Sequence, residues 1–341
     1  MKVREIGEQG LLERLQRYCP PQIIGDDGAV IITEPGQSLV VTTDLLVDGV
    51  HFSNVTTSPE DAGWRAAAAN LSDLAAMGAS PLGITVGLGL TSDVSVSWVE
   101  RLYQGMTECL QKYNTAIAGG DIVRSPTITL AITAFGQVDS LRTIRRNTAQ
   151  VGDAIVVTGT HGGSSAGLEL LLNPEFGQNL NESDRMALIR THQRPQPRLD
   201  VLPILWKIFE SHSPSPPLSP SPPLPISGMD SSDGLADAVL QICSASGVGA
   251  VLERTQIPLP RAFDPWLTKE QALKYALYGG EDFELVLCLP KQRADELVKQ
   301  LGTGAAIVGK ITSGSTIILH DQNKEIPDQV LTLSQGFQHF G

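Results

Sequence analysis

With 341 residues, 41% of them hydrophobic and 18% charged, the chain has the length of one large or two ordinary globular domains and a soluble composition. A formal net charge of −12 excludes the ordinary nucleic-acid binder, whose affinity for phosphate backbones comes from Lys and Arg. Cysteines 19, 109, 243 and 288 form no C-x-x-C pair, which excludes the usual redox and zinc motifs and fits reduced thiols in a cytoplasmic protein.

The N-terminal run MKVREIGEQGLLERL carries charge where a signal peptide needs apolar residues. The uncharged stretch Gly78–Ser92 is too short and too rich in glycine to span a bilayer, so no membrane association is expected. Gln37–Val47 reads as a strand. A helix follows, with Ser58 as N-cap, Pro59 at its first position, Glu60 and Asp61 in its first turn and a stop at Gly78. The pattern then predicts a strand over 83–90 and a helix over Val94–Tyr113 with Leu102, Met106, Cys109 and Leu110 on one face. Alternation of Thr with Ile or Leu marks Thr127–Phe135 as a half-buried strand.

Charge and turn residues cluster over 139–153, a junction between domains 1–140 and 141–341. Beyond it come a strand at 154–159, a glycine turn entering a helix, and helices over 182–191 and Leu199–Phe209. The segment 211–225, SHSPSPPLSPSPPLP, supports neither helix nor sheet and reads as a polyproline-like surface insertion. Helices over 233–246, 269–277 and 291–300 then alternate with strands over 249–253, 284–289 and near 306 and 317, which makes both domains α/β.

Gly304–Lys310 matches the first seven positions of a Walker A loop, but Ile311 stands where a hydroxyl should hold magnesium, and a turn and strand follow instead of a helix. No dinucleotide fingerprint, zincin motif or nucleophile elbow is present, and the six histidines are dispersed.

Aspartates, by contrast, recur beside glycines and at element ends: Asp26 and Asp27, Asp44, Asp73, Asp121, Asp230 with Asp233, and Asp282 after Glu281. Each alone reads as an ordinary turn residue. Together they gather at strand ends, where α/β folds present ligand sites. Asp73 sits in an alanine-rich helix, so it is either compensated by a cation or donors, or simply on a solvated face. Carboxylates with neighbouring Thr hydroxyls form an oxygen-only donor set, which suits Mg²⁺ shared with substrate phosphates.

The segments GDDGAV (25–30), TTDLLVDGVHF (42–52), NLSDLAAMGASP (70–81), GGDIVRS (119–125), DSSDGLADAV (230–239) and GGEDFEL (279–285) resemble, in this order, the thiamine-monophosphate kinase family, a branch of the aminoimidazole ribonucleotide synthetase and selenophosphate synthetase superfamily. The likeness runs from about residue 5 to the C-terminal GFQHF. It implies a two-domain PurM-like fold of α/β (α+β) type, with an N-terminal ATP- and Mg-binding domain whose sheet pairs across a homodimer, and a C-terminal α/β domain. Carried over by position, it implies that Asp27, Thr42, Thr43, Asp44, Asp73, Asp121, Asp230 and Asp233 hold several Mg²⁺ ions. It further implies that Tyr103, Gly120, Asp121, Arg146 and Ser232 contact ATP, and that His51, Glu281 and an aromatic such as Phe337 contact thiamine monophosphate. On residue type alone, His51 reads as a surface histidine at a strand end, and Arg146 equally as part of a solvated junction. One departure is Gly162-Gly163-Ser164, where the family usually has Gly-Asp-Ser; no role is assigned to that loop.

The implied reaction is phosphorylation of thiamine monophosphate by ATP, with no residue acting as nucleophile or base. The rival is a sister ATP-dependent synthetase of the selenophosphate or amide-activating type. Cys19 lacks the context of the selenophosphate branch, and the end HFG lacks the cysteine of the hydrogenase branch. A non-catalytic nucleotide-binding protein would be expected to have lost several of these aspartates.

Overall fold

The computed structural model describes residues 1–20, 31–211 and 223–332. Asp27, Phe337 and most of the 211–225 segment lie outside the described residues. The chain divides into two compact units: Met1–Leu74, Ala79–Val138 and Gln193–Pro195 form the first, and Ala75–Gly78, Asp139–His192 and Gln196–Gly341 the second.

The first unit is built from α1 (Val3–Leu15), β1 (Gln37–Val47), α2 (Pro59–Ala76), β2 (Ser80–Leu90), α3 (Val96–Lys112), β3 (Ile117–Arg124) and β4 (Thr129–Asp139). Its strands lie in the order β1-β4-β2-β3. β2 and β3 are parallel and joined through α3, whereas β2 and β4 are antiparallel. Ile84, Val86 and Leu88 face Ala134, Ile132 and Leu130 across the β2–β4 ladder, and all six are buried. α2 starts where the sequence places it: the Asp61 amide donates to Ser58 Oγ at 3.2 Å. α2 and α3 meet backbone to backbone, because a Cβ on Gly63 would stand 1.9 Å from the Leu102 carbonyl and one on Gly105 1.8 Å from that of Glu60. Arg194 fastens its short segment to this unit by bonding Asp61 at 2.6 Å and Glu108 at 2.7 Å. The outer face of β1 alternates the other way: Leu39, Val41 and Leu45 are each more than half exposed.

The second unit contains β5 (Ala154–Val157), α4 (Gly163–Leu172), α5 (Glu182–Gln193), α6 (Val201–Glu210), β6 (Ser227–Asp230), α7 (Leu235–Ser246), β7 (Gly249–Glu253), α8 (Lys269–Tyr278), β8 (Leu285–Leu289), α9 (Lys291–Leu301), β9 (Ala306–Thr312), β10 (Ile317–His320) and β11 (Gln329–Val330). The sheet order is β11-β10-β7-β9-β5-β8-β6. Ile155, Val157, Val286 and Cys288 pack into one core with α7, while Ala154, Val156, Leu285, Leu287 and Leu289 pack into another with α6 and α9. A strand covered on both faces has no polar side to show, which is why AIVV and LVLCL read as continuous apolar runs. The Walker-like segment is β9, paired with β5 and β7, and so is no phosphate loop.

Four elements escape the sequence reading, the two-residue β11 (Gln329–Val330) among them. α1 has a weakly patterned sequence interrupted at Gly7. β3 carries two glycines and an aspartate that lower strand propensity, and β6 is only four residues long, directly after the proline-rich segment. Among the described residues, no helix is long and apolar enough to cross a membrane.

Candidate active site

In the first unit, strand alternation puts Thr42 and Asp44 on one face of β1 and Thr43 on the other. The Thr42 hydroxyl donates to Asp73 Oδ2 on α2. Asp73 is half-buried and tied to β1, which answers the question of a solvated helix face. One turn earlier, fully buried Asn70 donates from Nδ2 to the Ala66 carbonyl at 3.0 Å, and its Oδ1 has no hydrogen-bond partner among the described residues. Thr43 instead shares a 2.9 Å hydrogen bond with Thr133 on β4.

Asp121 lies on the Thr43 face. It pairs with Gly87 of β2, which pairs in turn with Ala131, two residues from Thr133. One of its oxygens accepts from the Ile122 amide at 2.9 Å, and the residue is exposed. Gly120 is required by the β2–β3 approach, since a Cβ there would stand 2.2 Å from the Val86 carbonyl. The structure thus groups Thr42, Asp44 and Asp73 on one side of the sheet, and Thr43 and Asp121 on the other.

His51 follows β1 in a turn, where its Nδ1 accepts from the Val47 amide at 3.1 Å. The proton of the neutral ring is therefore on Nε2. Tyr103 is placed differently from the other candidates: it is 5% exposed, with its ring 5.8 Å from that of Tyr18, and burial raises its phenol well above the ordinary value.

In the second unit, Asp230 ends β6 in the interior, and the Ser232 hydroxyl donates to its Oδ1 at 3.1 Å. Asp233 is exposed in the turn that leads into α7. The Ser232 carbonyl accepts from the Glu281 amide at 2.7 Å, so the loops carrying Asp230, Ser232, Asp233 and Glu281 are held side by side. Glu281 has φ +67°, a left-handed conformation that is uncommon for a side chain other than glycine, asparagine or aspartate. Arg146 is exposed, but its backbone is anchored: its carbonyl accepts from Ser246 Oγ at 2.8 Å and Ser227 Oγ at 3.0 Å. Its guanidinium donates to Gln241 Oε1 at 2.6 Å, and Gln241 Nε2 donates to Asp237 Oδ2 at 2.5 Å, both on the first turns of α7.

Several residues of this region have roles that sequence reasoning does not give, Asp282 among them although its motif stands out. Asp282 is buried at the N-terminus of α4 and accepts from the amides of Gly162 at 2.6 Å and Ser164 at 2.9 Å. Burial pushes its carboxyl up to about 7, against the pull of those two amides and with the help of nearby Glu284 and Glu281. Glu284 is also raised by burial, opposed by Arg198 Nη1 at 2.5 Å and by the Thr158 hydroxyl. His192 Nδ1 stands 3.7 Å from Glu281 Oε2 and 3.2 Å from Ser164 Oγ. The acidic motif GGEDFEL points to this loop, but partners as distant in sequence as Arg198 and Ser164 leave no local signal.

The donors gathered here are carboxylates, hydroxyls and amide oxygens, with neither thiolate nor imidazole among the aspartate sets. Among the described residues, no three acidic, histidine or cysteine side chains converge into a ready-made metal cage. Such sparse oxygen sets fit Mg²⁺, which is held through one or two carboxylates plus substrate phosphates and water.

Residues 25–138 match the family described as AIR synthase related protein, N-terminal domain, and residues 226–322 match the C-terminal domain of that family. The chain is 51% identical to the thiamine-monophosphate kinase of Synechococcus elongatus, over 98% of this chain and 97% of that protein. It is similar to the crystal structure of thiamine-monophosphate kinase from Stenotrophomonas maltophilia, with TM-score 0.75 and 31% identity over 93% of this chain and 96% of the other. The structure described as AaThiL complexed with AMPPCP and TMP matches with TM-score 0.71 and 30% identity, over 97% of this chain and 98% of that one.

Proposed function

The chain belongs to the thiamine-monophosphate kinases of the AIR synthase related family, and from that premise we propose that it passes the γ-phosphoryl group of ATP directly to the phosphate of thiamine monophosphate, giving ADP and thiamine diphosphate. The observation that carries this reading is the likeness, over nearly the whole chain, to a kinase solved with AMPPCP and TMP.

In this reading Asp27, Thr42, Thr43, Asp44, Asp73 and Asp121 of the first unit, with Asp230 and Asp233 of the second, are the oxygen ligands of several Mg²⁺ ions. When bound, those ions neutralise phosphate charge that an acidic chain leaves uncompensated. Thr42 orients Asp73 through its hydroxyl, and Ser232 does the same for Asp230. Gly120 brings an open backbone edge to ATP, and Arg146, steadied by Gln241, supplies a guanidinium for its phosphates. Tyr103, buried behind the surface, shapes the nucleotide region from within. His51, Glu281 and Phe337 are the contacts for thiamine monophosphate.

The accepting oxygen belongs to a phosphate already ionised at neutral pH, so no side chain is needed as base or nucleophile. Positioning for one in-line displacement is then the main task of the protein. A homodimer fits the exposed apolar outer face of β1, with Val123 of β3 also more than half exposed.

Protein supplied with ATP, Mg²⁺ and thiamine monophosphate is expected to form thiamine diphosphate and ADP in equal amounts. ADP released without thiamine diphosphate would overturn the assignment. Transfer from ATP made chiral at a γ-thiophosphate should invert configuration, and retention would reveal a phospho-enzyme.

A further inference from the structure

We propose that His192 is a positioning residue for the acceptor: it fixes the direction of the Glu281 carboxylate, and so the affinity for thiamine monophosphate. The proposal rests on Glu281 contacting that substrate. His192 lies near the end of α5 and is 2% exposed. Its Nδ1 stands 3.2 Å from Ser164 Oγ, itself fully buried in the first turn of α4, and 3.7 Å from Glu281 Oε2.

Ring and loop are both set by packing. A Cβ on Gly167 would meet the Leu188 carbonyl at 2.1 Å and His192 Cβ at 3.2 Å, so α4 and α5 are in close contact beside the ring. Asp282 fastens the start of α4 through the Gly162 and Ser164 amides. Glu281 is thereby placed by two neighbours: its amide donates to the Ser232 carbonyl at 2.7 Å, and its Oε2 stands 3.7 Å from the imidazole Nδ1, beyond hydrogen-bond length but within reach of a small side-chain shift. Because φ is +67° at Glu281, its side chain leaves the backbone from an unusual angle. A fixed partner is what makes that angle useful.

The trio is not a nucleophilic triad. Ser164 and Glu281 both approach the same ring nitrogen, so the imidazole cannot take a proton from one side while being oriented from the other.

Steady-state kinetics of single and double variants test the assignment. His192→Leu, which keeps bulk but removes the nitrogen, is expected to raise KM for thiamine monophosphate roughly tenfold, the loss of about one charge-assisted hydrogen bond. KM for ATP should stay near wild type. His192→Asn, which returns a polar nitrogen near the place of Nδ1, should recover most of the loss. Glu281→Ala should raise the same KM, and adding His192→Leu to it should bring little more.

If Glu281→Ala has its effect and His192→Leu has none, or the two effects multiply, the positioning role is wrong while the substrate role of Glu281 stands. If Glu281→Ala leaves KM for thiamine monophosphate unchanged, the substrate role fails and the proposal with it. Should His192→Leu not fold, His192→Gln, which keeps bulk and polarity but carries its amide past the place of Nδ1, decides instead: a several-fold rise in that KM supports the proposal, and an unchanged value overturns it.

Discussion

Asp282→Asn separates the electrostatic cost of a buried carboxylate from its value as a helix cap. In the folded chain Asp282 titrates at about 7 instead of 3.8, chiefly through burial. A rise of that size corresponds to about 4 kcal/mol. The sign follows from proton uptake: between the two values the folded state holds the proton and the unfolded state has lost it. The contribution of Asp282 is therefore full below about pH 4 and has been lost once the pH passes about 7. Of the total, roughly 2 kcal/mol falls between pH 5.5 and 8.5. Asparagine removes this titration but can accept only one of the two amide bonds from Gly162 and Ser164, a loss of about 1–3 kcal/mol at any pH. Urea unfolding of both proteins across this range, followed by circular dichroism, should show the wild-type advantage shrinking by roughly 2 kcal/mol as the pH rises. A difference that stays constant or grows would refute the argument, since it would mean that burial does not hold the proton on Asp282.

Gly120→Ala would put a methyl group 2.2 Å from the Val86 carbonyl, and the β2–β3 pairing should loosen at a cost of about 1–3 kcal/mol, read from the urea midpoint. A wild-type midpoint would show that the edge strand can yield. Asp44→Asn and Asp121→Asn should each lower kcat by about 100-fold or more with an unchanged circular dichroism spectrum. Near-normal turnover would remove that residue from the ligand set. Gln241→Leu takes away the 2.6 Å anchor of Arg146 and should raise KM for ATP several-fold while sparing that for thiamine monophosphate; equal changes in both would count against Arg146 as an ATP contact.

Where a segment has one buried face and a clear terminus, the sequence alone places it. β1 occupies Gln37–Val47 as expected, and α2 begins at the Ser58 cap because hydroxyl, proline and acids stand in the required order. β3 and β6 defy that logic, since in β3 glycine admits the close β2–β3 approach, while β6 is only four buried residues of low strand propensity. The separation of Thr42 and Asp44 from Thr43 was available from period-two alternation. The company of Asp121 was not, because it depends on the register of β2 with both β3 and β4. In GGEDFEL, Glu281 can be picked out by resemblance, while the capping role of Asp282 needs the fold to bring α4 near. The pairings of His192 with Glu281, Ser164 with Asp282 and Arg198 with Glu284 join residues 86 or more apart in chain order, and such pairings are a property of tertiary packing.

The central claim is that scattered aspartates, acting with Mg²⁺, do for ATP and thiamine monophosphate what a P-loop lysine does elsewhere. Formation of thiamine diphosphate measured against free Mg²⁺ concentration, for the wild type and for Asp73→Asn, tests it most directly. No product is expected in chelator, with recovery on restoring Mg²⁺ and a variant that needs a higher concentration for its residual rate. Undiminished thiamine diphosphate formation in the presence of chelator would contradict it.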